Sequence, residues 1–369
     1  MRIGLIINGR LRSLSGAHLY DAQLVNWLYQ EGDDVEVISL PEASFSKALA
    51  NNLNRSFYEN LRRADFDLLL QDAHTYPSLF WLNQSLRSEI PYPIVTLVHA
   101  VPSETERRPW VRIVRRQMER SYFGAVDAFV CSSRLARMAV EKLMSDGQER
   151  PSMVAYPGGD RFHAAISEHE IVSRAQAPGP LRLLFVGDAK QHPALFNLVS
   201  ALAYLAPDLW RLDVVSNAAV AWRTPLSGVD VRSNITFCGA PTEEAMVEIY
   251  RRNQVAVIPD EDGIFDTTTV EAMGFGLAVV GAASGAGVEV IRHGRHGLNL
   301  APNNSLEMAR HLALLVQNRR LLLRLGLEAH KRSQTHATWA ESMGAVREFL
   351  AELVKRSRSF APVHREEPE

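Results

Sequence analysis

Residues 259–300 read PDEDGIFDTTTVEAMGFGLAVVGAASGAGVEVIRHGRHGLNL, a pattern of strand end, acidic loop, helix, buried strand, glycine-rich loop, short helix and strand. Thr267, Thr268 and Thr269 stand where the helix begins, so their hydroxyls gather with free backbone N–H groups at one helix N-terminus. Such an arrangement binds phosphate. Glu271, one turn later, faces the same opening, where a carboxylate can accept hydrogen bonds from both hydroxyls of a ribose. The alternative is a capped surface helix with a solvated glutamate.

The rest of the chain alternates apolar runs of strand length with amphipathic helices, which is typical of α/β proteins. Residues 2–8, 18–31 and 35–40 form a first unit of strand, helix and strand. Further strands are predicted at Asp67–Gln71, Ile94–His99, Ala128–Ser132, Met153–Ala155, Leu181–Val186, Trp210–Val215, Ile235–Cys238, Val255–Pro259 and Ala278–Gly281. Two Rossmann-like α/β domains, each with strand ends able to bind ligands, predict a deep cleft between them.

The domain boundaries follow from changes in periodicity. The first domain is placed at residues 1–165. The segment AAISEHEIVSRAQAPGP loses apolar periodicity and ends in Pro-Gly-Pro, so residues 166–180 are predicted to be an exposed linker. The second domain covers residues 181–335, with helical periodicity over Ser305–Ser333. A terminal amphipathic helix is predicted at residues 336–354, and residues 355–369 are predicted to be a disordered tail.

Composition excludes several classes of protein. The 369 residues carry a formal net charge of -2, which argues against a protein that mainly coats nucleic acid. Cys131 and Cys238 lie in apolar strand-like runs and are expected to be reduced core residues, without a disulfide or zinc site. The sequence lacks a Gly-x-x-x-x-Gly-Lys phosphate loop and an apolar run of about 18 residues, so we expect a cytoplasmic protein that is not a P-loop kinase.

A basic amphipathic stretch lies in the first half of the chain. Six arginines surround Trp110, Val111, Ile113 and Val114, namely Arg107, Arg108, Arg112, Arg115, Arg116 and Arg120. Such a face can lie on anionic lipid or on an acidic acceptor, so peripheral contact with the inner face of the membrane is one hypothesis. The alternative is a solvated helix whose arginine stems cover the core.

Several motifs resemble the retaining glycosyltransferases of family 4. They are the Gly16-Ala17 turn, Gly187 after a strand, CGAPTEEAMVEIYRRNQVAVIP at residues 238–259, VEAMGFGLAVVG at residues 270–281 and GVEVIRHGRHGL at residues 287–298. The similarity extends from Arg2 to about Leu350. It implies the GT-B fold, with a nucleotide-diphosphate sugar bound by the second domain, an acceptor bound by the first, and transfer with retention of the anomeric configuration.

The same resemblance implies roles for individual residues. Glu271 matches the glutamate that holds the donor ribose, and Thr267 to Thr269 match the helix start that receives the diphosphate. Gly16 matches a turn that packs near the phosphates, where the lack of a side chain permits close approach of the backbone. Gly187 belongs to the same donor-binding group. His99 matches a histidine that lines the reaction cleft near the donor sugar, although without the resemblance a histidine at a strand end is more often structural.

Two positions depart from the family pattern. The first glutamate of the Glu, seven residues, Glu motif falls on Gly263, so Asp262 or Asp266 would have to replace it in binding the transferred sugar. The family's Lys-Gly pair falls on Pro193 and Ala194, and Lys190 is the nearest replacement for the missing cation. A charge-assisted phosphate contact contributes about 1.5–3 kcal/mol, so its loss would weaken binding roughly ten- to a hundred-fold.

The resemblance implies a glycosyltransferase that moves a hexose-like unit from a nucleotide-diphosphate sugar to a glycan, a lipid-linked glycan or a small molecule. Proteins of the family use a helix N-terminus and basic side chains in place of a divalent metal. The acidic run Asp260-Glu261-Asp262 has no evident partner that would complete a ligand set, and no histidine cluster shows ligand spacing, so we expect no metal and no further cofactor. Two alternatives stay open: a catalytically impaired relative that acts as a partner or scaffold, and a nucleotide-sugar epimerase of the same fold.

Overall fold

The apolar runs form two parallel β-sheets in the computed structural model, which describes residues 1–11, 17–41, 44–144, 149–162, 166–187, 192–216, 232–258, 267–282, 286–301 and 303–360. The first unit comprises Met1–Tyr156 with Ala340–Glu369, and the second comprises Pro157–Trp339. The strands are β1 Arg2–Asn8, β2 Asp34–Leu40, β3 Leu68–Asp72, β4 Ile94–Val98, β5 Ala128–Cys131, β6 Ser152–Val154, β7 Leu181–Val186, β8 Trp210–Val215, β9 Ile235–Gly239, β10 Val255–Ile258, β11 Ala278–Ala282 and β12 Gly297–Leu300.

Helices alternate with these strands. They are α1 Ala17–Gln30, α2 Phe45–Ala50, α3 Arg55–Arg63, α4 Tyr76–Leu79, α5 Leu82–Leu86, α6 Pro102–Thr105, α7 Pro109–Gly124, α8 Arg134–Leu143, α9 Glu168–Gln176, α10 His192–Leu202, α11 Glu243–Arg252, α12 Thr267–Gly274, α13 Ser305–Gln317, α14 Arg319–Ser333 and α15 Trp339–Phe360. Among the described residues, no helix combines the length and the apolar character needed to cross a bilayer.

The first sheet has the strand order β2-β1-β3-β4-β5-β6, and all its pairs are parallel. Parallel strands need crossover helices on the sheet faces, so their side chains are buried on both sides. Every residue of β3 and β4 is accordingly buried. Asp72 is the last residue of β3 and His99 follows the last residue of β4, so both lie at the carboxyl edge of neighbouring strands.

The second sheet has the order β12-β11-β10-β7-β8-β9. Strands β7 and β10 are direct neighbours, and Gly187 follows the first while α12 follows the second along the chain. Gly297 begins β12 where its backbone is close to that of β11. A Cβ atom at this position would lie 2.2 Å from the carbonyl oxygen of Val279, so only glycine fits.

Helix α15 belongs to the first unit from Ala340 onward. The guanidinium Nε of Arg347 lies 2.7 Å from Oδ2 of Asp33, whose carboxylate also accepts a hydrogen bond of 2.6 Å from the amino group of Met1. The side chain of Asp33 is 1% exposed. A buried carboxylate therefore joins the last helix to the start of β1.

The structure corrects the prediction of an exposed linker at residues 166–180. Residues 168–176 form α9, which begins with a capping box between Ser167 and Glu170. The helix also buries Ile171 and Ala175. Its apolar pattern is short, and the adjacent Pro-Gly-Pro obscured it.

The predicted helical periodicity of residues 305–333 is confirmed. The region forms two helices, because Asn318 ends α13 and its side chain caps α14 by accepting a hydrogen bond of 2.9 Å from the Leu321 amide. Two further predictions need correction. Helix α15 continues to Phe360, beyond the predicted end at residue 354 and into the predicted tail. Cys238 is only partly buried, because β9 is an edge strand, whereas Cys131 is buried as expected.

Candidate functional site

The three threonines predicted at a helix start do begin α12, immediately after the stretch 259–266, which lies outside the described residues. All eight residues of α12 are buried, and Thr267 is 1% exposed. The Thr267 hydroxyl is enclosed without a hydrogen-bond partner in the described part of the chain. A buried hydroxyl at the first turn of a helix is suited to donate to an anion, since the helix dipole favours negative charge there.

Glu271 is held in place by Tyr250 of α11. The Tyr250 hydroxyl donates a hydrogen bond of 2.8 Å to Oε2 of Glu271, and the two residues are 0% and 4% exposed. The Tyr250 ring stacks on Phe275, with centroids 5.0 Å apart and planes at 9°. The carboxylate predicted to bind ribose is therefore part of a rigid buried arrangement, and a solvated surface glutamate is ruled out.

Arg174 of α9 supports this arrangement from behind. Its guanidinium donates hydrogen bonds to the carbonyl oxygens of Phe275 and Gly276, at 2.6 and 2.9 Å, and to those of Tyr250 and Arg251, at 3.3 and 3.0 Å. Burial lowers the pKa of Arg174 to about 10, which still leaves it charged at neutral pH. The Arg174 guanidinium thus binds backbone carbonyl groups near the C-terminal ends of both α11, which carries Tyr250, and α12, which carries Glu271. Sequence reasoning missed it, because Arg174 lies in the presumed linker.

The remaining donor-site predictions are only partly placed. Gly187 directly follows β7, and its amide donates a hydrogen bond of 3.0 Å to the carbonyl oxygen of Val215. Pro193 lies in the first turn of α10, at the position where the family pattern has lysine. Gly16, Lys190, Asp262 and Asp266 lie outside the described residues, so their roles stay predictions.

His99 lies in a buried polar cluster of the first unit. Its Nε2 is 3.2 Å from Oδ1 of Asp21, and the two side chains are 2% and 0% exposed. The imidazole meets the ring of Tyr20 edge-on at 5.1 Å and stacks on that of His74 at 6.4 Å. His74 in turn binds Oδ1 of Asp72 through its amide, at 2.9 Å, and through Nδ1, at 3.0 Å. The cluster thus consists of two carboxylate–imidazole pairs with stacked imidazoles.

The two carboxylates of this cluster differ in proton affinity. Burial raises the pKa of Asp21, and the nearby charge of Asp72 adds to the effect, so that the hydrogen bond from His99 only partly offsets them. Burial also acts to raise the pKa of Asp72. There, however, the charge and hydrogen bonds of His74 and the charge of His99 outweigh it, and the pKa falls well below its ordinary value. Asp72 is therefore ionised, whereas Asp21 binds a proton more readily than an exposed aspartate does.

A third imidazole belongs to the same cluster. His18 and Asp21 are three positions apart in the first turns of α1, and one ligand atom each of His18, Asp21 and Asp72 lies within 4.8 Å of the others. Linear spacing did not reveal this set, because its members come from α1 and the end of β3. The available signal was that polar residues follow β3 and β4, whose carboxyl ends meet at one edge of a parallel sheet.

Glu119 of α7 is another buried carboxyl group of the first unit. It is 0% exposed, and Oε1 accepts a hydrogen bond of 2.9 Å from the Ser103 amide. The pKa of Glu119 is raised from 4.5 to about 7. Burial is the main cause and the Glu104 charge adds to it, while the Ser103 hydrogen bonds and the Arg115 charge act in the opposite direction. Since the folded-state pKa exceeds the unfolded one, stability contributed below pH 4.5 is lost as the pH rises through about 7.

Solved structures share the architecture of both sheets. The sucrose-phosphate synthase of Thermosynechococcus elongatus superposes with a TM-score of 0.76 at 16% identity, over 96% of this chain and 99% of that one. The fold is GT-B. The Anabaena protein HepE in complex with UDP-glucose superposes on the same GT-B fold with a TM-score of 0.70 at 14% identity, over 96% of this chain and 100% of that one. At these identities the likeness shows the fold alone.

Sequence comparison adds a family match in the second unit. Residues 180–318 match the family model described as glycosyl transferases group 1. The matched segment includes Gly187, α11 and α12. A D-inositol 3-phosphate glycosyltransferase of Streptomyces bingchenggensis is 28% identical over 264 residues, or 67% of this chain and 57% of that protein. An exopolysaccharide phosphotransferase of Streptomyces coelicolor is 27% identical over 221 residues, or 58% of this chain and 22% of that protein. The chain thus matches less than two thirds of the length of either relative, and the similarity to glycosyl transferases group 1 lies in its second unit.

Proposed function

We propose that this protein is a retaining glycosyltransferase of family 4 type, which transfers a hexose-like unit from a nucleotide-diphosphate sugar. The observation that carries the proposal is the α12 site, where a buried threonine hydroxyl and a fixed carboxylate lie within four residues of one helix start. This site falls inside the segment that matches glycosyl transferases group 1.

The proposed chemistry follows from charge. Departure of a nucleoside diphosphate builds negative charge on the phosphate oxygens, and donors already in position stabilise it best. Thr267 to Thr269 would supply hydroxyls and backbone N–H groups, and Glu271 would bind the two hydroxyls of the donor ribose. Lys190 would replace the absent family lysine, Asp262 or Asp266 would bind the transferred sugar, and His99 would act beside that sugar.

Calorimetric titration with UDP, GDP and ADP tests the donor site directly. UDP is the first ligand to use, since HepE has been solved with UDP-glucose. We expect Glu271→Gln to weaken nucleotide binding about ten-fold, because a hydrogen bond to a charged group contributes about 1.5–3 kcal/mol. Glu248→Gln on the exposed face of α11 is the matched control, and its side chain is 71% exposed. If the wild-type protein binds no nucleotide, the donor site is wrong and the scaffold alternative is favoured.

Product analysis distinguishes the remaining alternatives. Incubation with UDP-glucose and a panel of acceptors should release UDP and form a glycoside. The panel includes D-inositol 3-phosphate, because the Streptomyces bingchenggensis relative is named for that acceptor. An isomerised sugar nucleotide without a glycoside would indicate an epimerase. Nucleotide binding with neither product would indicate a catalytically impaired protein.

We also propose that α7 lies on an anionic membrane surface that carries a lipid-linked acceptor. Trp110 and Ile113 are 70% and 68% exposed, although both are large and apolar. Arg116 and Arg120 follow Ile113 by three and seven positions and therefore share its helix face. Arg108 and Arg115 pair with Glu106. Arg112, Arg116 and Arg120 form no ion pair within the described residues, so their charges are available for lipid phosphates.

Vesicle flotation tests the membrane contact. The wild-type protein should float with vesicles that contain phosphatidylglycerol and stay at the bottom with phosphatidylcholine alone, since basic residues bind anionic headgroups at about 1 kcal/mol each. Replacing Trp110 and Ile113 together by serine should abolish flotation, whereas Trp81→Ser, at another exposed tryptophan, should not. Absence of flotation with anionic vesicles would leave α7 as a solvated helix.

A further inference from the structure

The His18, Asp21 and Asp72 cluster is a built polar site in the first unit. The two aspartates are 0% and 1% exposed, and the three ligand atoms lie within 4.8 Å of one another. The helical spacing of His18 and Asp21 places both side chains on one face of α1, while Asp72 reaches the same place from the end of β3. Two separate elements of the fold therefore present three ligand groups to one position.

Hydrogen bonds inside the cluster leave specific atoms unused. Oδ1 of Asp21 is taken by His99, and Oδ1 of Asp72 is taken by His74. Oδ2 of Asp21 and Nδ1 of His18 are both buried, and neither has a hydrogen-bond partner among the described residues. Buried polar atoms are almost always satisfied by protein, water or an ion.

Electrostatics favours a cation at this position. Two carboxylates that lie close together in a buried environment repel each other and lose their hydration, so they are stabilised by a proton or by a neighbouring positive charge. The histidines His74 and His99 compensate one oxygen of each carboxylate. The unused Oδ2 of Asp21 and the unused Nδ1 of His18 are left for another positive group.

We propose that His18, Asp21 and Asp72 bind one divalent transition-metal ion, of which Zn²⁺ and Mn²⁺ are the best candidates. One imidazole and two carboxylates suit these ions, whereas Mg²⁺ and Ca²⁺ prefer oxygen ligands alone. His99 and His74 serve as outer partners that orient the two carboxylates, as is usual around metal sites. Three protein ligands leave a coordination position for water or for a substrate oxygen. The proposal departs from the expectation of no metal, which came from spacing along the chain.

Metal titration tests this proposal on full-length protein without an affinity tag. After treatment with a chelator and its removal, calorimetric titration with ZnCl₂ and MnCl₂ should show one ion bound per chain for at least one of them. His99→Gln should weaken binding roughly ten- to a hundred-fold, as expected for an outer partner. Asp21→Asn and His18→Ala should weaken it more, because each removes a ligand. His169→Ala, which removes an exposed imidazole of α9, should bind like the wild type.

Spectroscopy of the wild type tests the site without any substitution. Co²⁺ should give the intense visible absorption of a site with four or five ligands, and added Zn²⁺ should remove it. The proposal is overturned if the wild type binds neither Zn²⁺ nor Mn²⁺ saturably, if Asp21→Asn and His18→Ala bind as tightly as the wild type, or if Co²⁺ shows only the weak spectrum of the hydrated ion.

Discussion

Removing the Tyr250 hydroxyl should destabilise the second unit and loosen the predicted ribose carboxylate. Tyr250→Phe keeps the ring that stacks on Phe275 at 5.0 Å and removes the hydroxyl that donates the hydrogen bond of 2.8 Å to Glu271. Both residues are buried, so bulk water does not fully replace the lost donor. A buried hydrogen bond to a charged group contributes about 1.5–3 kcal/mol, and we expect the free energy of unfolding to fall by that amount.

Urea unfolding followed by circular dichroism measures this change, and hydrogen exchange of peptides from α11 and α12 assigns it to the second unit. Tyr204→Phe is the matched control, because Tyr204 is 69% exposed and loses a solvated hydroxyl. Its effect should stay within about 0.5 kcal/mol.

A double-mutant cycle isolates the pair. Tyr250→Phe combined with Glu271→Gln should show a coupling energy of about 0.5–3 kcal/mol, since the two groups are in direct contact. The same tyrosine variant should bind UDP about ten-fold more weakly if the hydroxyl orients the carboxylate, because 1.4 kcal/mol corresponds to a factor of ten. If Tyr250→Phe is as stable as Tyr204→Phe, or the coupling is zero, Glu271 is not held as described.

Three further predictions concern single residues. Glu119→Gln should match the wild type in stability near pH 4.5 and exceed it by up to about 3 kcal/mol above pH ~8, because the amide avoids the buried charge. Melting temperatures of both proteins measured across this pH range test it, and a difference that does not vary with pH would contradict it. Gly297→Ala should lower the free energy of unfolding by more than about 2 kcal/mol in urea titrations, while Gly287→Ala, which meets nothing within 4 Å, should change it little. Arg347→Met should increase hydrogen exchange in α15 and cost about 1–3 kcal/mol, because it leaves the buried Asp33 carboxylate without its guanidinium partner, and unchanged exchange would refute a role in anchoring the helix.

Most of the fold could be predicted from local pattern. Strands β7 and β8 match the predicted bounds, and most other strands agree within about two residues, because a buried parallel strand is a short apolar run with clear ends. The failures occurred where a local signal was weak. Helix α9 was missed beside Pro-Gly-Pro, and the end of α15 was placed six residues too early.

The start of α12 at Thr267 and the position of Glu271 on it were determined by the sequence alone, because a helix start and its periodicity are encoded within a few neighbouring residues. Only the tertiary structure placed Tyr250 on Glu271, and Arg174 on the carbonyl groups behind them. It alone also brought Asp21 and Asp72 together, 51 positions apart along the chain. These contacts depend on which strands are neighbours in the sheet and which helices cross between them. That order is decided by packing of the whole unit, and no short stretch of sequence specifies it.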